Sequence, residues 1–204
     1  MYLNQETLRE LEQRYGTPGV GSAEAPFEPP AFALLERCAR KQRAHDVTLL
    51  IRDEVGCFVV IRKPSYPTDV FRPPSGGVEL GESFEAGALR EAIEETGLRV
   101  RLERYLLRVE ARFSCGEAVA PWTTHVFLAE ALDTHLAPTD HVEIAEARWA
   151  TVAEMMDEYR PRMLAIGSAG MRYRVDLQDF ALARLGLVRL PEVDSERLIE
   201  LEQN

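Results

Sequence analysis

The stretch GGVELGESFEAGALREAIEETGL, Gly76 to Leu98, gathers Glu79, Glu82, Glu85, Glu91, Glu94 and Glu95 with little positive charge beside them. A charge run is ordinarily a solvated helix face, and the spacing decides whether that suffices. Glu91, Glu94 and Glu95 lie three and four residues apart, so on a helix they share a face with Cβ atoms roughly 5–6 Å apart and repel one another. Arg90 is the adjacent cation and pairs by spacing with Glu94 alone. Three such carboxylates become favourable when a cation sits among them, and hard oxygen donors select Mg²⁺, Mn²⁺ or Ca²⁺ over softer metals. A divalent ion is the charge this segment lacks.

The flanking residues predict how the cluster is held. Ser83 is a suitable N-cap, Glu85 sits in the first turn where the helix dipole favours it, and Gly97 after Thr96 is a natural stop. A helix over Phe84 to Thr96 follows, with Ala88, Leu89, Ala92, Ile93 and Thr96 at helical spacing to face a sheet. Pro64, Pro67, Pro73 and Pro74 bar regular structure before it, so an irregular loop leads into Gly76 and Gly77. Upstream, Val47 to Arg52 and Cys57 to Arg62 read as a β-hairpin around the turn DEVG. Residues 1 to about 16 and Ala31 to Arg43 read as helices, joined by the Gly/Pro-rich connector GTPGVGSAEAPFEPP. Downstream, LRVRLERYLLRVEARFS, APWTTHVFLAEAL and EIAEARWATV read as strands, and Thr151 with Glu154 forms a capping box. The remainder, from about Pro161, reads as mostly helical and carries no motif.

Gly76, five residues, Glu82, seven residues, then REAIEETGL from Arg90 to Leu98 resembles the Nudix box, G-x5-E-x7-R-E-U-x-E-E-x-G-U with U aliphatic. Every fixed position is matched; Ala92 is small for a U position. The resemblance implies an α/β/α sandwich on a mixed β-sheet, with a core over residues 45–157 and helical extensions at 1–44 and 158–204. It also implies Mg²⁺- or Mn²⁺-dependent hydrolysis of a nucleoside diphosphate linked to another moiety: a nucleotide sugar, a dinucleotide or a nucleoside triphosphate. Carried over by position, Glu91 and Glu95 are the principal metal ligands with Glu94 assisting, Arg90 orients the glutamates, and Glu82 supports them. Gly76 and Gly77 are expected to let the backbone turn tightly beside metal and substrate. The proton from the attacking water goes either to a box glutamate, Glu94 or Glu95, or to one on a later loop, for which Glu143 is the best placed and Glu146 the weaker alternative. Two other uses of the fold stand beside hydrolysis. One is a ligand-sensing module that binds without turnover, against which all the box carboxylates are present. The other is chemistry like isopentenyl diphosphate isomerisation, whose catalytic cysteine motif cannot be placed here.

Arg62, Lys63 and Arg72 flank the loop before the box and are candidates for phosphate contact, although a solvated surface is the commoner use of such residues. Trp122 and Tyr66 have faces suited to a base, against the commoner role of packing beside a strand. His45, His125, His135 and His141 show no ligand spacing. The region ARFSCGEAVAP holds no tyrosine and no proline before Pro121, so the markers that would assign a substrate sub-family are not matched.

Composition narrows the partners. With 24 Lys+Arg against 34 Asp+Glu, net charge -10, the chain is unsuited to non-specific nucleic-acid or anionic-membrane binding. Cys38, Cys57 and Cys115 have no CxxC spacing, which fits reduced thiols in a cytoplasmic protein. No apolar run approaches the roughly 18 residues of a membrane span. The expected partner is a small nucleotide. The apolar positions Phe32, Leu34, Leu35, Leu182, Leu185 and Leu187 in the extensions need a cover, for which a homodimer is the simplest expectation.

Overall fold

The alternating apolar runs build one mixed sheet in the computed structural model, which describes residues 4–40, 45–190 and 197–202. Its strands are β1 (Gly19–Pro26), β2 (His45–Arg52), β3 (Phe58–Arg62), β4 (Ser75–Gly77), β5 (Val100–Cys115), β6 (Ala118–Ala131), β7 (Glu146–Ala150) and β8 (Ile199–Leu201). The order is β7-β3-β2-β6-β5-β1-β8, with β4 beside β2. The pairs β2–β6 and β1–β5 are parallel, while β5–β6 is a long antiparallel hairpin. The DEVG turn forms as expected, but β2 and β3 pair only at Arg52 and Phe58 and then part. Their separation lets β4 pair with the start of β2, which brings Gly76 opposite Val47.

Helices cover both faces, giving an α/β/α sandwich. On one face α1 (Gln5–Tyr15) and α3 (Phe84–Thr96) bury Leu11, Phe84, Ala88 and Ala92 against Val47, Leu49 and Phe127. On the other, α2 (Pro29–Arg40), a π-helical turn over Glu154–Tyr159 that runs into α4 (Arg160–Ala165), and α5 (Ala169–Arg184) cover Leu50, Leu107 and Val126. The capping box forms: Thr151 N–H and Oγ donate to Glu154, and Glu154 N–H donates to Thr151 Oγ. Among the described residues no helix is long and apolar enough to cross a membrane.

Four sequence-based expectations need correction. The connector at Gly19–Pro26 is strand β1, paired residue for residue with Gly19↔Leu107 through Pro26↔Ser114. Its glycines are there for close approach, since a Cβ on Gly21 would stand 2.8 Å from the Glu200 carbonyl oxygen of β8. The C-terminal segment likewise ends in a strand, β8, and is not wholly helical. Leu89 and Ile93 are 37% and 41% exposed, so α3 meets the sheet along the narrower stripe Ala88, Ala92 and Thr96. Phe32 and Leu182 are buried, and Leu35 and Leu185 pack on the core, so most of the apolar surface that suggested a dimer is covered within the chain. Residues 41–43 of the expected Ala31–Arg43 helix, and 1–3 of the first helix, lie outside the described residues.

Two predictions arise from this packing. The carboxylate of Glu85 accepts from Tyr15 Oη and from Arg14 Nη1, which ties α1 to α3. Glu85→Gln weakens both bonds and is expected to cost about 1 kcal/mol in denaturant unfolding while leaving turnover unchanged. The second concerns His45 and His125, buried side by side on β2 and β6. His45 Nδ1 is 3.2 Å from His125 Nε2, and His125 Nδ1 is 2.5 Å from Tyr105 Oη. Burial pushes the His45 imidazole down to about 4 and holds His125 well below its ordinary value. Both imidazoles stay neutral in the folded chain at a pH where the unfolded chain binds protons. Their stabilisation is therefore complete above about pH 6.5 and is lost as pH falls toward about 4. The melting temperature is expected to fall by several degrees between about pH 7 and pH 5, and His125→Gln to flatten that slope.

Candidate active site

Local signals set the helix that carries the carboxylates. Ser83 Oγ accepts from Ala86 N–H at its start, and Gly97 closes it with φ 80°. A Cβ on Gly97 would also stand 2.3 Å from the Ala137 carbonyl oxygen, so the stop and the return of the chain to α3 both need glycine. β4 then lies across the acidic face of α3. A Cβ on Gly76 would fall 1.9 Å from a Glu91 carboxylate oxygen. Room for Glu91 is therefore the reason for this glycine, which sits in an extended strand and not in the tight turn expected from the sequence.

Arg90 gathers the cluster. Its Nη2 donates to Glu82 Oε1 at 2.7 Å and to the Gly77 carbonyl at 2.8 Å, and its Nη1 donates to Glu91 at 2.9 Å and Glu94 at 2.8 Å. The sequence spacing foresaw only the Glu94 contact. Glu82, eight residues earlier, reaches the same guanidinium because the loop before α3 folds back, with Glu79 N–H donating to Glu82 Oε1 at 2.5 Å.

Arg90, Glu91 and Glu94, but not Glu82, line one cavity of about 400 Å³ with Lys63, Arg72, Ser75, Gly77, Glu95 and Glu143 among its walls. Glu95 is buried, unlike the solvated face that a charge run ordinarily forms, and accepts from Ser75 N–H at 2.6 Å. Arg72 is buried too, against the usual solvated role. It donates to the Pro73 carbonyl at 2.7 Å and Ser75 Oγ at 2.9 Å, and its Nη2 lies 3.8 Å from Glu95. Lys63 Nζ bridges Glu143 at 2.7 Å and Glu95 at 4.0 Å. Arg62 is turned toward Glu146 at 3.5 Å and is not among the lining residues. Glu143, on the loop before β7, reaches the cavity although no regular element holds it. Asp140 Oδ1 accepts from Val142 and Glu143 N–H, and the Thr139 and Asp140 amides donate to the Glu94 carbonyl.

The electrostatics show negative charge in excess. Burial pushes the Glu91 carboxyl up to about 7, opposed by Arg90 and reinforced by Glu95 and Glu94. Burial likewise raises Glu95, with Arg72 and Lys63 opposing. Asp46 on β2 lines the cavity, is raised by burial, and holds Oδ1 without a hydrogen-bond partner. Sequence reading passed over Asp46; the signal was a lone acid in the apolar run of β2, where a charge is rarely placed without use. As the side chains stand, no three acidic, histidine or cysteine groups among the described residues converge on one point. The reason is visible: Arg90 occupies Glu91 and Glu94, and the Ser75 amide takes Glu95. The donors are nevertheless all hard oxygens, with Glu95 buried and Glu91 half-buried, which fits a divalent cation such as Mg²⁺ or Mn²⁺.

The NUDIX domain model matches residues 42–169, and the chain belongs to that family. It is 34% identical over 134 residues to the NAD-capped RNA hydrolase NudC of Deinococcus radiodurans, 64% of this chain and 41% of that protein. It is 30% identical over 124 residues to the CMP-5′-(N-acetyl-N-hydroxy-3-aminopropyl)phosphonate hydrolase of Streptomyces rubellomurinus, 59% of this chain and 58% of that one. The chain spans less than two thirds of the length of these relatives. A crystal structure of a UDP-X diphosphatase superposes with TM-score 0.50 at 18% identity, covering 90% of this chain and 72% of the other, a likeness of fold.

Proposed function

We propose that the chain hydrolyses the pyrophosphate bond of a small nucleoside diphosphate derivative with the help of Mg²⁺ or Mn²⁺. The observation that carries this reading is the gathering in one cavity of half-buried Glu91, paired with Arg90, and buried Glu95, which faces Arg72 and Lys63. Glu91 and Glu95, with Glu94, would hold the cation, which when bound neutralises phosphate charge and acidifies a water. Arg90 sets the positions of Glu82, Glu91 and Glu94 through its bonds to all three. Arg72 and Lys63 supply the positive wall against which a diphosphate is drawn. Gly76 leaves room for the Glu91 carboxylate, and Gly77 lines the same cavity, where the diphosphate would lie. Glu143 is the candidate to take the proton of the attacking water, since Lys63 holds it over the cavity without committing it to the metal cluster.

The test is a screen with phosphate-ester products as readout: nucleotide sugars, dinucleoside polyphosphates, NADH, coenzyme A and nucleoside triphosphates. The naming of relatives as NAD-capped RNA hydrolases adds NAD and NAD-capped RNA to the panel. Cleavage of at least one, abolished by chelator and restored by Mg²⁺ or Mn²⁺, is expected; cleavage that survives chelation overturns the metal assignment.

A further inference from the structure

Next to the carboxylate cavity lies a second one of about 560 Å³, and the two share Leu34 and Arg174 as walls. Its lining comes from α2, the start of α5 and the loop between β3 and β4, chiefly Phe27, Leu34, Leu35, Tyr66, Ile166 and Met171. It therefore draws on both extensions that flank the box. Tyr66 also links the two spaces, since its Oη lies 3.4 Å from Arg72 Nε.

We infer that this second compartment receives a flat heteroaromatic ring of the substrate, a nucleobase, whose diphosphate lies in the carboxylate cavity. The inference rests on the hydrolytic reading above and adds to it where the ring goes. Three observations point there. The compartment adjoins the cavity across Leu34 and Arg174, which line both, so the two spaces are near enough for one molecule to reach from one to the other. Its walls are mostly apolar and aromatic, which suits the face of a ring; a hexose would bury hydroxyls against a lining that offers them few partners. At the threshold, Arg174 donates Nη1 to the Gly170 carbonyl at 3.0 Å and keeps a buried Nε without a partner. That leaves a donor and a planar cation for a ring that carries acceptor atoms and a π face.

Gly170 provides the test. A Cβ there would stand 3.6 Å from both the Phe27 ring and Arg174 Nη1, ordinary contact distances, so a side chain at this position fills the compartment. The site lies in the first turn of α5 with no positive φ, and Gly170→Leu is compatible with the helix. The full chain and the variant are titrated calorimetrically in Mg²⁺ with ADP, GDP, UDP and CDP, and with inorganic pyrophosphate, which has no ring. The parent is expected to bind at least one nucleoside diphosphate about tenfold or more tighter than pyrophosphate. Gly170→Leu is expected to erase that advantage and leave pyrophosphate unchanged. A variant that keeps the parent's nucleotide affinity overturns the inference while leaving the hydrolytic reading intact. A parent that binds none of these ligands and turns over no substrate in the screen removes both. If Gly170→Leu weakens nucleotide and pyrophosphate alike, Ile166→Trp, which narrows the same space from the end of α4, decides: selective loss of nucleotide supports the inference and an equal loss overturns it.

Discussion

Glu95→Gln is expected to lower turnover at saturating Mg²⁺ by 10²-fold or more, the scale of losing a contact to a catalytic metal. The change is a strict test because the fold should tolerate it. Glu95 is buried and its carboxyl is raised by that burial, so a neutral isostere removes a desolvation cost along with the charge. The amide oxygen can still accept from Ser75 N–H, the 2.6 Å bond that fixes β4 to α3. What is lost is the negative charge facing Arg72 and Lys63. A melting temperature within a few degrees of the parent, with turnover down a hundredfold, is the expected combination. A variant that melts normally and turns over normally would remove Glu95 from the metal site.

The burial of Glu95 was legible in the sequence had the helix been projected. At about 100° per residue, Glu95 falls only about 20° from Ala88, whereas Ile93 falls about 140° away. Reading Leu89 and Ile93 as core because they are large, and Glu95 as surface because it is charged, inverts two faces of one helix. The ends of α3 were readable because Ser83 and Gly97 act on their nearest neighbours. β1 was not, because nothing local marks it as a strand. Its eight residues pair with β5, more than eighty positions later in the chain, and its glycines, read as breakers, are what lets β8 approach. Arg72 illustrates the same limit. Its burial depends on the bend of Pro73 and Pro74 bringing Ser75 beneath its guanidinium, and no spacing rule encodes that. Similarly, the Arg90–Glu82 contact comes from a loop that folds back, while the Arg90–Glu94 contact is plain helical spacing.

The choice of base gives the other large effect. If Glu143 takes the proton from the attacking water, Glu143→Gln should depress kcat by the 10²- to 10⁴-fold typical of general-base loss, with KM and metal affinity nearly unchanged. If Glu94 does so, the same change should cost less than about tenfold and Glu94→Gln should carry the large effect. The geometry favours Glu143. Glu94 already accepts from Arg90 at 2.8 Å on the face proposed to hold the metal, whereas Glu143 answers to Lys63 at 2.7 Å, from a loop pinned by Asp140 and by the Glu94 carbonyl. That pinning means that the carboxylate reaches the water by turning about its own side chain. Lys63→Met should then lower kcat by a smaller factor, about tenfold, by releasing Glu143 from its position. Because only the ionised carboxylate accepts a proton, the rate should rise with pH through the base's titration, and the acid limb should vanish in whichever variant has lost the base. Single-turnover rates of the three variants across pH separate the assignments, and equal small effects at Glu143 and Glu94 would exclude both.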